Sequence, residues 1–187
     1  QHTRLTAMNT PRLAIVIPCY NEQQALSHTL DHLAALLSDL AAEGKVATDS
    51  YICCVDDGST DATWQIISDY HSRDNRIHGL RLAANSGQQN ALMAGLMEVR
   101  GNCNIAVSLD ADMQDDPAAI GSMIECYNDG AETVYAVRSA RPHDTLTKRI
   151  TARGFYSLRK LIDKETIPDH SDFRLLSAAT LDRLADY

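Results

Sequence analysis

The 187-residue sequence contains none of the short motifs that mark several large enzyme classes. It has no GxxxxGK[ST] loop and no GxGxxG run, which disfavours a P-loop NTPase or a dinucleotide-binding enzyme. A GxSxG elbow is also missing, which disfavours an α/β-hydrolase. No CxxC pair occurs among the five cysteines, so a zinc or iron–sulfur site has little support.

Long apolar runs are absent as well. The longest, such as residues 13–17 and 105–109, fall far short of the about 20 residues that a membrane-spanning helix needs. No stretch has the basic, apolar and small-residue regions of a secretory signal peptide. The cysteines are odd in number and Cys53 adjoins Cys54, which predicts reduced core residues of a cytoplasmic protein rather than disulfides.

Positive charge is scarce and unevenly distributed. The chain has 17 basic and 25 acidic residues, a net charge of −8 that disfavours nucleic-acid binding. Eight of the basic residues lie between Arg138 and Lys164, against only two aspartates. A basic segment in an acidic protein predicts a local anionic ligand or contact with a membrane surface. A solvated helix face is the alternative.

Apolar strand patterns and helical patterns alternate along the chain. Residues 13–17 predict a buried strand because both faces are apolar, and the leucines at 26, 30, 33, 37 and 40 have helical spacing. The alternation predicts an α/β fold with a mostly parallel sheet and right-handed crossovers. The predicted strands are 13–17, 51–55, 77–82, 105–109 and 133–137, and the predicted helices are 26–40, 62–70, 88–99, one opened by Pro117, and a basic helix at 146–162.

Polar residues follow the predicted strands at the point where each one ends. In parallel α/β sheets, ligands bind at the carboxyl ends of the strands, so these residues are expected to share one site. The strand-end residues are 20–22, Asp56 and Asp57, Asn85 and Ser86, 110–115, and Arg138.

Asp110 and Asp112 are the clearest candidates for chemistry. Two carboxylates this close repel each other unless a positive charge lies between them. Oxygen ligands suit a hard divalent cation such as Mg²⁺ or Mn²⁺, and Mg²⁺ often completes its shell with waters and phosphate oxygens. The pair therefore predicts a metal–diphosphate site. A surface loop that carries two unrelated aspartates is the alternative.

Two other strand ends carry groups suited to a nucleoside. One of Asp56 and Asp57 is expected to accept a hydrogen bond from a nucleobase N–H, while the other satisfies backbone donors in the turn at Gly58. Tyr20 offers a flat ring to a base, and Glu22 is expected to bind a turn or a ribose. The alternatives are helix capping for the aspartates and an ordinary rim position for Tyr20.

Taken together, these segments resemble the family-2 glycosyltransferases. The matching runs are IVIPCYNE at 15–22, VDDGSTD at 55–61, NSG at 85–87 and LDADMQD at 109–115, in an order and spacing that agree over about residues 12–185. The resemblance implies the GT-A fold, a Rossmann-like nucleotide-diphospho-sugar transferase fold with a mostly parallel central sheet. It further implies a flexible N-terminal segment at 1–11 and a single catalytic domain at 12–187.

Within that family the chain is similar to the polyprenyl-phosphate branch, which includes dolichyl-phosphate mannose synthases and bactoprenol glucosyltransferases. The similarity rests on the run DADMQD with Pro117 behind it, on YAVR at 135–138, and on DFRL at 172–175. It implies inverting, metal-dependent transfer of a sugar from a nucleotide-sugar, in the first place a UDP-sugar, to a polyprenyl phosphate such as undecaprenyl phosphate. The expected location is the inner face of the cytoplasmic membrane, with a membrane-anchoring part following Tyr187.

The resemblance also implies roles for individual residues, with Mg²⁺ or Mn²⁺ as the cofactor. Asp112, Asp172 and Arg138 are expected near the reacting groups. The expected nucleotide-binding residues are Pro18, Tyr20, Glu22, Asp57 and Asp110; the metal ligands are Asp110, Asp112 and Gln114; the acceptor-phosphate residues are Lys148, Arg149 and Arg174.

The alternatives are three other functions. A transferase acting on a soluble sugar or a polysaccharide is one, but processive synthases carry a QxxRW motif, and the only tryptophan here is Trp64. A magnesium phosphohydrolase is another, although such enzymes usually have Thr or Val at the position of Gln114. The third is a nucleotide-binding module without turnover. The identity of the sugar, the choice between Mg²⁺ and Mn²⁺, and whether the chain forms a homo-oligomer stay open.

Overall fold

A computed structural model describes residues 10–136 and 172–186 of the chain. Six strands in these ranges form one sheet. The strands are β1 (Leu13–Cys19), β2 (Tyr51–Asp56), β3 (Ile77–Arg81), β4 (Ile105–Ser108), β5 (Thr133–Tyr135) and β6 (Arg174–Ser177). The helices are α1 (Leu26–Ala42), α2 (Thr63–Arg73), α3 (Gln88–Val99), α4 (Ala119–Asn128) and α5 (Ala178–Leu184).

The strand order is β3-β2-β1-β4-β6-β5. β1 to β4 pair in parallel, whereas β6 runs antiparallel to both β4 and β5. The predicted mostly parallel α/β sheet is therefore confirmed. The short strand β6 and helix α5 were not predicted. The four residues of β6 lead directly into a helix and show no clear alternation of apolar and polar side chains.

Strand β1 continues through Pro18 to Cys19, two residues beyond the strand predicted at 13–17. Pairing between β1 and β4 stops at Val16, while Pro18 still lies opposite Val55 of β2. Beyond Val16 the strand thus has a partner on one side only. A proline without a backbone N–H is tolerated at such an edge.

The two faces of the sheet carry separate apolar clusters, which is why the central strands are apolar on both sides. Ile15 faces the cluster that includes α1, α2 and α4, and the next residue, Val16, faces α3 and α5. A Cβ atom on Gly95 of α3 would lie 2.5 Å from Cγ1 of Val16 and 2.6 Å from Cγ2 of Val55. Helix α3 therefore packs closely on the sheet at this glycine.

Several predicted features lie outside the described residues, namely most of segment 1–11, the basic helix at 146–162, Arg138, Lys148 and Arg149. Four of the five free cysteines are buried, which agrees with the predicted core positions, while their reduced state stays a prediction. Among the described residues, no helix combines the length and the apolar character needed to cross a bilayer.

Candidate functional site

The carboxyl ends of β1, β2 and β4 border one cleft. Six of the residues predicted to bind the nucleotide or the metal line it. Gln88 and Ala91 of α3 form another part of the wall. The predicted residues brought together in this cleft are Pro18, Tyr20, Glu22, Asp57, Asp110 and Asp112.

The loop after β1 is tied to the loop after β2. Asn21 has a left-handed backbone with φ of 56°. Its side-chain oxygen accepts the N–H of Thr60 at 2.9 Å, and its own N–H donates to the hydroxyl of Ser59 at 3.0 Å. The N–H of Glu22 donates to the hydroxyl of Thr63 at 2.8 Å. These bonds leave Tyr20 46% exposed at the cleft, where its ring is accessible to a flat ligand.

Asp57 fastens the end of β2 to the start of α3. Its two carboxylate oxygens accept the N–H groups of Ser86 at 2.7 Å and Gly87 at 2.9 Å. Gly58 turns the chain beside it with φ of +68°, and a Cβ there would lie 2.6 Å from the nitrogen of Asn85. Asp57 therefore organises the wall of the cleft, while its contact with a nucleobase stays a prediction.

The neighbouring Asp56 is fully buried. One of its oxygens accepts the N–H of Ser59 at 3.1 Å. The other, Oδ2, has no hydrogen-bond partner among the described residues but lies 3.4 Å from Nε of Arg81. The guanidinium of Arg81 in turn lies 5.5 Å from the ring centre of Trp64. Both aspartates of the turn thus satisfy backbone donors, as the sequence predicted for one of them.

A hydrogen bond from helix α1 holds the backbone segment that carries the paired aspartates. The hydroxyl of Thr29, fully buried on α1, donates to the carbonyl of Ala111 at 2.6 Å. Ala111 is buried and Asp112 is exposed, so the segment points the second carboxylate toward solvent. Met113 follows with a left-handed φ of 57°, an uncommon conformation for a side chain of this size.

Gln114 contacts Asp112 through its nitrogen rather than its oxygen. The side-chain amide donates to Oδ2 of Asp112 at 2.6 Å, and the backbone N–H of Gln114 donates to Oδ1 at 3.1 Å. Gln114 lines a neighbouring pocket together with His32 and Asp115. Gln114, the predicted metal ligand, is therefore adjacent to the paired aspartates but does not line the cleft itself.

Negative charge accumulates on the β4 side of the cleft. Burial raises the pKa of Glu22, and the nearby charges of Asp112, Asp110 and Asp61 raise it further. Within residues 10–136 and 172–186, no group of three or more His, Cys, Asp or Glu side chains is arranged to hold a metal ion. Two carboxylates nevertheless fit a cation that keeps waters and takes phosphate oxygens as its remaining ligands.

Asp172 is held beside this cluster by residues that the sequence did not single out. Its backbone carbonyl accepts the hydroxyl of Ser108 at 2.5 Å. Its Oδ2 accepts the side-chain amides of Gln89 at 3.0 Å and Gln88 at 3.3 Å. Gln88 also donates to Oδ1 of Asp110 at 2.8 Å. The sequence did contain one signal for these contacts. Two adjacent glutamines stand at the start of a helix, and both reach the same edge of the sheet.

Arg174 lies at the start of β6, opposite Ser108 of β4 and Tyr135 of β5. Its Nε is buried and has no hydrogen-bond partner among residues 10–136 and 172–186. Strand β6 is antiparallel to β4, so its first residue lies at the carboxyl end of β4, near the cleft. Arg174 thus shares the sheet edge with Asp172, although it does not line the cleft.

The model of the family described as glycosyl transferase family 2 matches residues 14–182. Over 177 residues the chain is 42% identical to the uncharacterized glycosyltransferase YkoT of Bacillus subtilis (strain 168), a match covering 95% of this chain and 52% of that protein. It is 32% identical over 177 residues to the prophage bactoprenol glucosyl transferase homolog of Escherichia coli (strain K12), covering 92% and 54% of the two chains.

Among solved structures, the chain is similar to Staphylococcus aureus TarS 1-349 in complex with UDP. The TM-score is 0.62 at 20% identity, and the match covers 94% of this chain and 49% of that one. The predicted GT-A fold is confirmed. The chain spans about half the length of the curated relatives it matches.

Proposed function

The chain belongs to glycosyl transferase family 2, and on that premise we propose that it transfers a sugar from a nucleotide-sugar, in the first place a UDP-sugar, to a polyprenyl phosphate such as undecaprenyl phosphate. The reaction is one inverting displacement that depends on Mg²⁺ or Mn²⁺. One observation carries the proposal: a single cleft is lined by Tyr20, Glu22 and Asp57 and also by Asp110 and Asp112.

The nucleoside part of the donor is assigned to the β1 and β2 side of the cleft. The exposed ring of Tyr20 offers a flat apolar surface to the base, at the small entropy cost of a rigid side chain. Pro18, Glu22 and Asp57 line the cleft beside it and complete the nucleotide-binding set. The similarity in fold to a protein crystallised with UDP supports uridine as the first nucleotide to test.

The diphosphate is assigned to the β4 side. Asp110 and Asp112 are proposed to hold the divalent cation, with Gln114 as a further oxygen ligand. Gln114 has to turn its amide for this role, because its nitrogen now faces Asp112. When bound, the cation offsets the negative charge that develops on the leaving diphosphate. The pKa of Glu22 is raised first by burial and then by the charges of Asp112 and Asp110, and this second contribution supports the assignment, since a cation would neutralise those charges.

The acceptor needs orientation more than a general base. The second pKa of a phosphate monoester is about 6, so a polyprenyl phosphate is largely dianionic near neutral pH and already nucleophilic. Arg138, Lys148, Arg149 and Arg174 are proposed to bind this phosphate by charge-assisted hydrogen bonds, and Asp172 to orient the acceptor or an arginine. The buried Nε of Arg174, which has no hydrogen-bond partner in the part of the chain that the structure describes, supports its part in this set.

The lipid acceptor places the reaction at a membrane. We assign it to the inner face of the cytoplasmic membrane, with the basic segment 138–164 facing anionic lipid head groups. The name of the Escherichia coli relative, a bactoprenol glucosyl transferase homolog, supports both the acceptor and this location.

The test is a panel of nucleotide-sugars incubated with the purified chain, undecaprenyl phosphate and either Mg²⁺ or Mn²⁺, scored for labelled glycolipid. Asp112→Ala is expected to lower the metal-dependent rate by about hundredfold or more, because a direct ligand should matter more than its supporting residues. Asp39→Ala, an exposed position on α1, is the matched control and should keep the wild-type rate.

An Asp112→Ala variant as fast as the wild type would contradict the metal-dependent scheme. Glycosylation of a soluble sugar or polysaccharide, but not of the lipid, would contradict the acceptor assignment. UDP binding without consumption of any sugar, with lipid acceptor present, would instead indicate a nucleotide-binding module.

A further inference from the structure

Gln88 touches carboxylates from two different strands. Its side-chain nitrogen lies 2.8 Å from Oδ1 of Asp110, which follows β4, and 3.3 Å from Oδ2 of Asp172, which precedes β6. An amide NH₂ carries two hydrogens, so it can donate to both acceptors at once. Gln89 adds a second amide to Asp172 at 3.0 Å.

Asp172 is fixed at its backbone as well as at its side chain. Ser108, buried at the end of β4, donates its hydroxyl to the carbonyl of Asp172. The backbone of Asp172 is thereby tied to the sheet, and its carboxylate is tied to α3. The amide of Gln88 is the group that connects this carboxylate to Asp110.

A neutral donor is the appropriate group for this bridge. Two neighbouring carboxylates repel each other, and a lysine between them would hold both while cancelling charge that a divalent cation needs. An amide supplies hydrogen bonds to both and leaves their net charge unchanged. Gln88 also lines the cleft, so the bridge lies where the donor diphosphate is proposed to bind.

We propose that Gln88 is a positioning residue that holds Asp110 and Asp172 in one arrangement, and so couples the metal–diphosphate side of the cleft to the acceptor side at β6. The inference rests on the proposed function for the roles of the two aspartates. Its geometric content, one amide shared by two carboxylates, does not depend on those roles.

The first test measures binding of UDP in the presence of Mn²⁺ by calorimetry. Gln88→Met keeps the length of the side chain but removes both donors, and it is expected to weaken binding by about tenfold. Gln65→Met is the matched control, because the amide of Gln65 donates to Asp69 at 2.8 Å on the exposed face of α2, outside the residues that line the cleft. The control is expected to bind as the wild type does.

A double-mutant cycle then separates positioning from general loss of structure. If Gln88 acts through Asp172, adding Gln88→Met to Asp172→Ala should weaken UDP–Mn²⁺ binding by clearly less than the product of the two single effects. Effects that multiply would overturn the coupling. Gln88→Met binding as tightly as the Gln65→Met control would overturn the proposal altogether.

A ligand-free measurement keeps this inference distinct from the proposed function. In the ¹⁵N-labelled chain, Asp172→Ala is expected to shift the side-chain amide resonances of both Gln88 and Gln89 and to leave that of Gln65 unchanged. If the wild type fails to bind UDP with Mn²⁺, the proposed function fails. These resonances would still show whether the bridge between Asp110 and Asp172 forms. An unshifted Gln88 amide would show that the bridge does not form.

Discussion

Thr29 and Ala111 are joined by a hydrogen bond of 2.6 Å across 82 residues of sequence. The hydroxyl belongs to a fully buried side chain on α1, and the carbonyl belongs to the residue between the two aspartates that are proposed to hold the metal. The position of both carboxylates therefore depends on a helix that contributes no side chain to the lining of the cleft.

Replacing Thr29 should separate stability from binding. Thr29→Val has nearly the same shape but leaves the Ala111 carbonyl unpaired, at a cost of about 1–3 kcal/mol in unfolding free energy, and it should also weaken UDP–Mn²⁺ binding. Thr29→Ser loses a methyl group worth up to about 1 kcal/mol but keeps the hydroxyl, so its affinity should match the wild type. Denaturant unfolding and calorimetry measure the two effects. Equal affinities in both variants would contradict the role given to this bond.

Glu22 makes the stability of the ligand-free chain depend on pH. Its pKa is raised by burial and by Asp112 and Asp110, so the folded chain binds this proton more readily than the unfolded chain does. The stabilisation is fully present below the ordinary value of 4.5 and is lost as pH rises through the folded pKa. Glu22→Gln cannot ionise, so it should melt at a higher temperature than the wild type at about pH 8.

The thermal advantage of Glu22→Gln is expected to shrink as pH falls below the ordinary value of 4.5, because the wild-type carboxyl then becomes protonated in both states. Glu98→Gln, at an exposed position on α3, is the control and should show no such trend. A constant difference between Glu22→Gln and the wild type at every pH would be inconsistent with the raised pKa.

Arg81 provides the nearest positive charge to the buried carboxylate of Asp56. In Arg81→Met, Oδ2 of Asp56 would lose the Nε at 3.4 Å, and unfolding free energy should fall by about 1–3 kcal/mol. Arg100→Met is a matched control, because Arg100 lies at the same 3.4 Å from an Asp182 side chain that is 70% exposed. Loss of that exposed pair should cost less than about 1 kcal/mol. Equal losses in urea unfolding would refute the distinction.

Two helical glycines should respond to alanine in opposite directions. In Gly95→Ala the new methyl would meet Val16 at 2.5 Å and Val55 at 2.6 Å, so we expect a loss of about 1–3 kcal/mol despite the better helix propensity. In Gly121→Ala on α4 the nearest atoms lie at 3.8 Å, so propensity should dominate and add up to about 1 kcal/mol. Thermal unfolding measures both. A stabilised Gly95→Ala would mean that α3 can move away from the sheet.

The sequence predicted the elements whose signal is local. Helix α3 has the predicted bounds, and the buried parallel strands follow from runs that are apolar on both faces. The contacts of Gln88 were beyond such reasoning, because its partners lie 22 and 84 residues away and share no periodic pattern with it. The hydrogen bond of Thr29 did have a signal in the sequence. Thr29 is a polar residue within the buried leucine stripe of α1, where an unpaired hydroxyl would be costly.

The placement of β6 has a consequence for how the chain is made. β6 lies between β4 and β5, yet it is the last of the six described strands to leave the ribosome, and residues 136–173 separate it from β5. Until it emerges, β1 to β4 can already be paired, but among the described strands neither the outer edge of β4 nor β5 has a partner. A nascent or truncated chain that stops before Arg174 should therefore expose an apolar strand edge and associate with its neighbours, whereas a chain extending through Ser177 should close the sheet.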